Sequence, residues 1–439
     1  MNPSTANKVT ETDKANAGSA DQPALPATTQ YVSREPHSYE RWLIGKVLHM
    51  VGSPPIRFRL WNGDLIEPDQ GDARYTVTLN DPRALYSLAT NPNLAFGDLY
   101  SAGRVDVDQD LSGLMALLYR SIHRASSHWP KWLETLWRNH HPRSTGLEEA
   151  RANIHHHYDL GNEFYQLWLD QAEMQYTCAY YESASLSLEQ AQLAKLEHVC
   201  RKLRLQPGQT VVEAGCGWGG LARYMARHYG VTVHAYNISH EQISYARAQA
   251  RRQKLDHLIE YIEEDYRNIN GQYDAFVSVG MLEHVGTDHY LELAALIQRT
   301  LKPQGLALLH SIGRNRPMLL NAWIEKRIFP GAYPPSIGEF VSICEQGNFS
   351  VLDVENLRLH YAQTLTHWLD RFEQHHERVT AMYDEQFTRA WRLYLAGSIA
   401  AFQVGALQLF QVVFSHADNN HLPQNRGDLY RSPAAPGSH

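Results

Sequence analysis

The residues with the spacing to do chemistry begin in the run VVEAGCGWGGLARYMARHYG, Val211 to Gly230. Gly215, Gly217 and Gly220 fit GxGxxG between an apolar strand and a helix, a spacing that lets backbone approach a ligand with no Cβ in the way. Alone it serves a dinucleotide, another adenosyl compound or a structural tight turn. Two neighbours narrow the choice. Glu213 stands at the strand mouth, where it would repel a pyrophosphate and attract a ligand carrying ammonium and sulfonium charge. The next strand ends in Asn237 rather than the acid that holds the ribose of NAD. The third ends in EED, where Asp265 and Tyr266 offer adenine a hydrogen bond and a stacking face. S-Adenosylmethionine satisfies this set better than a nicotinamide cofactor.

Elements that could bring these residues together alternate from Asn153 onward. TVVEAG, VTVHAYN, LIEYIEED, YDAFVSVG, GLALLHSIG, FSVLDVEN and FQVVF read as strands, separated by helices such as LARYMARHYG and SHEQISYARAQARRQK. The pattern predicts an α/β fold over 151–415, a doubly wound, mostly parallel, seven-stranded sheet with helices on both faces. A smaller α+β unit precedes it over 37–119. There IRFRLWNG and RYTVTLND alternate as strands, and Asp81 before Pro82 opens the helix PRALYSLAT. Residues 1–36 and 416–439 lack large apolar groups and are expected to be disordered tails.

Residues 120–150 combine Trp129, Trp132 and Trp137 with Arg120, Arg124, Lys131, Arg138 and Arg143. Such a helix suits the headgroup region of an anionic membrane, and equally a linker whose indoles pack on its own domains. The uncharged run LAGSIAAFQVGALQLFQVVF approaches the length of a membrane span. Gln403, Gln408 and Gln411 argue instead for a buried helix followed by a strand.

The 40 Lys and Arg against 47 Asp and Glu give a net charge of -7, which does not suggest nucleic-acid binding. Cys178, Cys200, Cys216 and Cys344 show no CxxC spacing, so neither a disulfide framework nor a zinc site is expected and a reducing cytoplasm fits. His155, His156 and His157 read as helix-start packing rather than metal ligands, and no metal is expected. The N-terminus shows no secretory signal.

HHHYDLGNEFYQLWLD, MQYTCAYY, EAGCGWGGLA, SVGMLEHVG and LLHSIG resemble the cyclopropane-fatty-acyl-phospholipid synthases, from roughly 40 to 415. GDLYSAGRVDVD resembles that family's extra N-terminal domain, here expected to engage lipid. The resemblance implies a class I methyltransferase-like fold. It also implies transfer of a methylene group from S-adenosylmethionine to the cis double bond of an acyl chain in a membrane phospholipid. A bicarbonate ion would be held by Cys178, Glu283, His310, Ile312 and Tyr361. Cofactor contacts would fall on Tyr176, Thr177, Gly215, Gly217, Asn237, Ile238, Gln242, Asp265 and Tyr266. A homodimer peripheral to the inner membrane face, on the cytoplasmic side, is implied as well. Relatives that methylate fatty acids or amines, or a lipid-binding protein without activity, are the alternatives.

The chemistry places its own demands. An alkene is a weak nucleophile, so its π cloud must be aligned with the sulfonium methyl in a dry pocket. Aromatic faces can stabilise the resulting cation, and a base must remove a proton to close the ring. Read singly, Glu283 also fits a helix cap, Cys178 a small buried residue and Tyr361 a core ring. Ser398 stands where some members carry a cysteine, so no thiol nucleophile is expected there. Tyr181 replaces another aromatic and is expected to alter the acyl pocket.

Overall fold

Apolar runs bounded by glycine and polar turns become the strands of two sheets in the structure, a computed structural model. It describes residues 34–69, 71–108, 110–126 and 160–430. The tryptophan-rich stretch from 127 and His155, His156 and His157 lie outside the described residues.

The larger sheet holds β5 (Thr210–Ala214), β6 (Thr232–Asn237), β7 (Ile259–Glu263), β8 (Tyr273–Val279), β9 (Leu301–Gly313), β10 (Phe349–Asn356) and β11 (Gln408–His416). Among the described residues its seven strands run in the order β10-β11-β9-β8-β5-β6-β7. β11 is antiparallel to both β9 and β10, whereas β5, β6, β7, β8 and β9 pair in parallel. This is the expected mostly parallel, doubly wound α/β sheet. From β5 the chain moves outward through β6 and β7, then returns to place β8 on the other side of β5. That switch opens a crevice beyond the carboxyl ends of β5 and β8, where ligands of open α/β sheets bind.

The smaller sheet, β1 (Ile56–Arg59), β2 (Leu65–Ile66), β3 (Tyr75–Leu79) and β4 (Val105–Asp108), has the order β2-β1-β3-β4. Asp81 caps the helix Pro82–Thr90 by accepting from the Ala84 N–H and is clamped by Arg104. The GDLYSAG segment is the seam with the larger sheet's layer. A Cβ on Gly97 would lie 2.4 Å from the Trp323 ring, so only glycine admits the indole. Beside it Arg327 grips Asp98 through two bonds of 3.0 and 2.9 Å, and Arg389 donates to Asp106 and to the Tyr100 carbonyl.

The uncharged run divides as its glutamines suggest. The helix Glu385–Val404 ends at Gly405 in the left-handed region, and β11 follows with eight of its nine residues buried. Among the described residues no helix is long and apolar enough to cross a membrane.

Both expected tails, 1–36 and 416–439, include residues that pack on the fold. Arg34 pairs with the buried Glu40 at 2.6 Å. Beyond His416, Leu429 is buried and Tyr430 brings its ring 6.2 Å from that of His198. Leu422 packs on the core as well, and Arg426 pairs with Asp353 at 3.1 Å, so a few contacts hold an otherwise polar segment in place.

Candidate active site

At the mouth of β5 the backbone turns sharply: the Gly215 and Cys216 N–H groups both donate to the Tyr236 carbonyl, at 2.9 and 3.0 Å. Gly217 has φ +53°, and a Cβ there would meet nothing within 4 Å, so its backbone lies bare toward the crevice. Gly220 has the opposite reason to be glycine, since its Cβ would approach the Glu173 carbonyl at 2.5 Å. Behind the loop the buried Arg223 donates to the Trp218 carbonyl at 2.7 Å and to Glu173 at 3.0 and 2.7 Å, which locks the turn.

Glu213 is buried, and its Oε2 has no hydrogen-bond partner among the described residues. Burial pushes its carboxyl up to about 8, against the pull of Lys195 and Arg223. A cation bound beside it would restore the ionised form, so the pocket fits the charge of S-adenosylmethionine. Asn237 donates to the Gly217 carbonyl at 3.3 Å and to Gln242 at 2.8 Å, while the Ile238 N–H donates to Asn237. Thr177 accepts from the buried Lys195 at 3.0 Å, and the Tyr176 hydroxyl lies 2.9 Å from that of Tyr394. Asp265 already carries a partner that its motif does not disclose. Arg267 pairs with it at 3.1 Å and lays its guanidinium 4.9 Å from the Tyr266 ring centre.

The second cluster lies across β8 and β9. Glu283 sits on the turn Leu282–His284 just after β8, and the Ile312 N–H donates to its Oε1 at 2.6 Å. Ile312 thereby orients Glu283 and its N–H is already engaged. Glu283 Oε2 is buried with no partner among the described residues, and burial pushes the carboxyl up to about 7. His310 lies within β9 opposite Val279, three residues before the strand ends at Gly313. Burial, with Lys195 and Lys202 nearby, holds its imidazole well below the ordinary range and hence neutral. Cys178 is fully buried, with its thiol 3.1 Å from the Ala179 carbonyl and pushed up by burial. Its sulfur is therefore an uncharged thiol turned toward the Ala179 and Leu357 carbonyls. Tyr361 projects from the helix Arg358–Gln374, its ring 4.7 Å from that of Phe402. An unpartnered carboxyl oxygen, a neutral imidazole and a phenol are a donor set that a small oxyacid such as bicarbonate fits.

All fifteen of these sequence-derived residues line one cavity of about 2380 Å³. Its walls continue into the smaller unit through Val47, Leu48, Phe58, Leu88, Met115 and Leu118. The volume exceeds the roughly 300–1,000 Å³ of ordinary small-molecule pockets, leaving apolar space beyond a nucleotide. Ser398 lines it too. Tyr181, expected to shape the acyl pocket, is not among its lining residues, and its ring is stacked on His367 with centres 5.8 Å apart.

Sequence reasoning missed Gln411, noted only as a polar interruption of an apolar run. It donates toward His310 Nδ1 at 3.0 Å and accepts from the buried Lys202 at 2.8 Å. The signal was present: an amide in a fully buried strand needs partners.

This fold and this crevice define a class I S-adenosylmethionine-dependent methyltransferase. Residues 146–412 match the mycolic acid cyclopropane synthetase family, and residues 43–128 match a domain of unknown function, DUF7884. A probable fatty acid methyltransferase of Pseudomonas putida is 36% identical over 397 residues, covering 86% of this chain and 96% of its own length. The cyclopropane-fatty-acyl-phospholipid synthase of Escherichia coli is 43% identical over 267 residues, 61% of this chain and 68% of its own. Among solved structures, the mycolic acid cyclopropane synthase CmaA1 complexed with SAH and CTAB is similar with a TM-score of 0.57 at 29% identity, covering 60% of this chain and 97% of that one. The chain belongs to this cyclopropane synthetase family of methyltransferases.

Proposed function

We propose that the protein transfers a methylene group from S-adenosylmethionine to the cis double bond of unsaturated acyl chains of membrane phospholipids, forming a cyclopropane ring. The observation that carries this reading is the single cavity in which Glu213 and Glu283, each with one carboxyl oxygen left without a partner among the described residues, share walls with a long apolar extension. When bound, S-adenosylmethionine supplies the electrophilic carbon and bicarbonate supplies the base. Glu213 holds the cationic end of the donor, and the bare Gly217 backbone admits it. Glu283, His310 and Tyr361 orient the base, with Ile312 fixing Glu283 and the Cys178 backbone closing the floor. The rings of Tyr361, Phe402, Tyr394 and Phe329 face positive charge developing on the alkene. The apolar walls exclude water, which would otherwise capture that cation.

In this reading the enzyme works from the cytoplasmic side, peripheral to the inner membrane face, as a homodimer whose smaller unit engages lipid. Methyl branching of the same chains is the second reading, favoured by the Pseudomonas relative's name. Incubation with labelled S-adenosylmethionine and unsaturated phospholipid vesicles, followed by mass analysis of the acyl chains, separates the two. A gain of one CH2 with loss of the double bond supports ring closure. A labelled chain that keeps its double bond supports branching, and an unlabelled chain leaves lipid binding alone.

A further inference from the structure

We infer that Gln411 and Lys202 are positioning residues that fix His310 as a hydrogen-bond donor toward the cavity. The strand register builds the arrangement. β11 lies between β9 and β10, pairing Gln411 with His310 on one side and with Glu355 on the other. Glu355, Gln411 and His310 thus stand in a row across three strands. The helix Leu188–Lys202 lowers Lys202 onto that row, with Nζ 2.6 Å from Glu355, 2.8 Å from Gln411 Oε1 and 3.4 Å from Asp353.

The direction of each bond follows from what each group can do. An ammonium only donates, so the Gln411 oxygen must face Lys202 and the amide NH2 must face His310. The flipped amide would set its NH2 against the ammonium, donor against donor, so the network itself excludes it. His310 Nδ1 then has to accept at 3.0 Å, which leaves the proton of the neutral ring on Nε2. Lys202, Gln411 and His310 are all buried, so water does not compete for these bonds. Around Lys202 the same logic continues outward: His198 lies 2.7 Å from Glu355, and that hydrogen bond and the Lys202 charge pull the Glu355 carboxyl down to about 2 despite its burial. The carboxylate therefore stays ionised beside Lys202 Nζ, 2.6 Å away.

The role in turnover rests on the proposed reaction, whereas the tautomer does not. Nitrogen-15 correlation spectra of the full chain labelled at histidine, with His310 assigned by a His310→Gln control, read the tautomer directly. The expected wild-type pattern is a pyridine-like Nδ1 and a pyrrole-like Nε2, unchanged from pH 6 to 8. Gln411→Glu presents only acceptors, so His310 should move its proton to Nδ1 or become cationic. Gln411→Met, which introduces no charge and folds more readily, should give a mixture of tautomers. In both variants kcat should fall on the order of 10- to 100-fold, with the KM for S-adenosylmethionine unchanged. A wild-type ring protonated on Nδ1, or a ring whose pattern is the same in all variants, would overturn the inference. So would variants in which the tautomer shifts while kcat stays at the wild-type value. An absence of lipid product from the wild-type enzyme strikes the reaction reading alone, since the spectra need no turnover.

Discussion

The Ile312 N–H donates to Glu283 Oε1 at 2.6 Å, and this one bond ties the carboxyl that follows β8 to the backbone of β9. Oε2 is left buried and without a partner among the described residues.

Glu283→Gln keeps the shape and removes the charge. We expect kcat to drop about 100-fold, in line with the loss of the charge that orients the base, and the affinity for S-adenosylmethionine to stay within twofold. Because burial raises the wild-type carboxyl to about 7, it ionises as pH passes that value, so kcat/KM should climb through pH 7 and then level. In the variant that limb should be missing. A retained limb would remove Glu283 from the assignment.

Glu213 gives a second pH dependence. In the folded protein its carboxyl sits at about 8, against an ordinary 4.5. Its contribution to stability is fully present below pH 4.5 and is lost as pH rises through 8. Binding a cation reverses the preference and expels the proton. Calorimetry in two buffers of different ionisation enthalpy should register proton release below pH 8, with affinity for S-adenosylmethionine tightening from pH 6 to 8 and then levelling. Glu213→Gln should bind weakly and release no proton. Wild-type binding that is indifferent to pH would sink the idea.

The seam between the two sheets can be tested by stability alone. Gly97→Ala places a methyl 2.4 Å from the Trp323 ring and should cost about 1–3 kcal/mol by overpacking, more than the helix gains from alanine. Trp323→Leu in the same chain should recover part of that loss. Urea unfolding of the two single variants and the double variant measures the coupling, and additive losses would count against direct contact.

Membrane engagement is tested with Lys131, Arg138 and Arg143 replaced together by Ala. Sedimentation with anionic vesicles should weaken, more clearly at low salt, while neutral vesicles show little change. Equal recovery with both chains would argue that the basic stretch packs against protein instead.

Much of the α/β layer was legible because its strands are short apolar runs separated by helical periodicity. Glu213, Asn237 and Asp265 stand at strand ends, so topology alone gathers them at one crevice. Residues whose partners are remote in sequence were not legible. Gln411 meets His310 only because β11 inserts antiparallel beside β9, a register no local pattern encodes. The Gly97 and Trp323 contact and the stacking of Tyr181 on His367 are likewise facts of packing between distant segments. Leu429 escaped notice because a single leucine carries no periodicity.

The placement of β11 bears on how the molecule is made. During synthesis β9 and β10 emerge well before the strand that must slot between them, and until it arrives each presents an open edge to the cell. His310 meanwhile lacks its amide neighbour. The nascent chain therefore cannot assemble a working centre until residue 416 has cleared the ribosome, and a product released at 407 would retain the entire glycine loop yet expose two sticky edges and be drawn into aggregates.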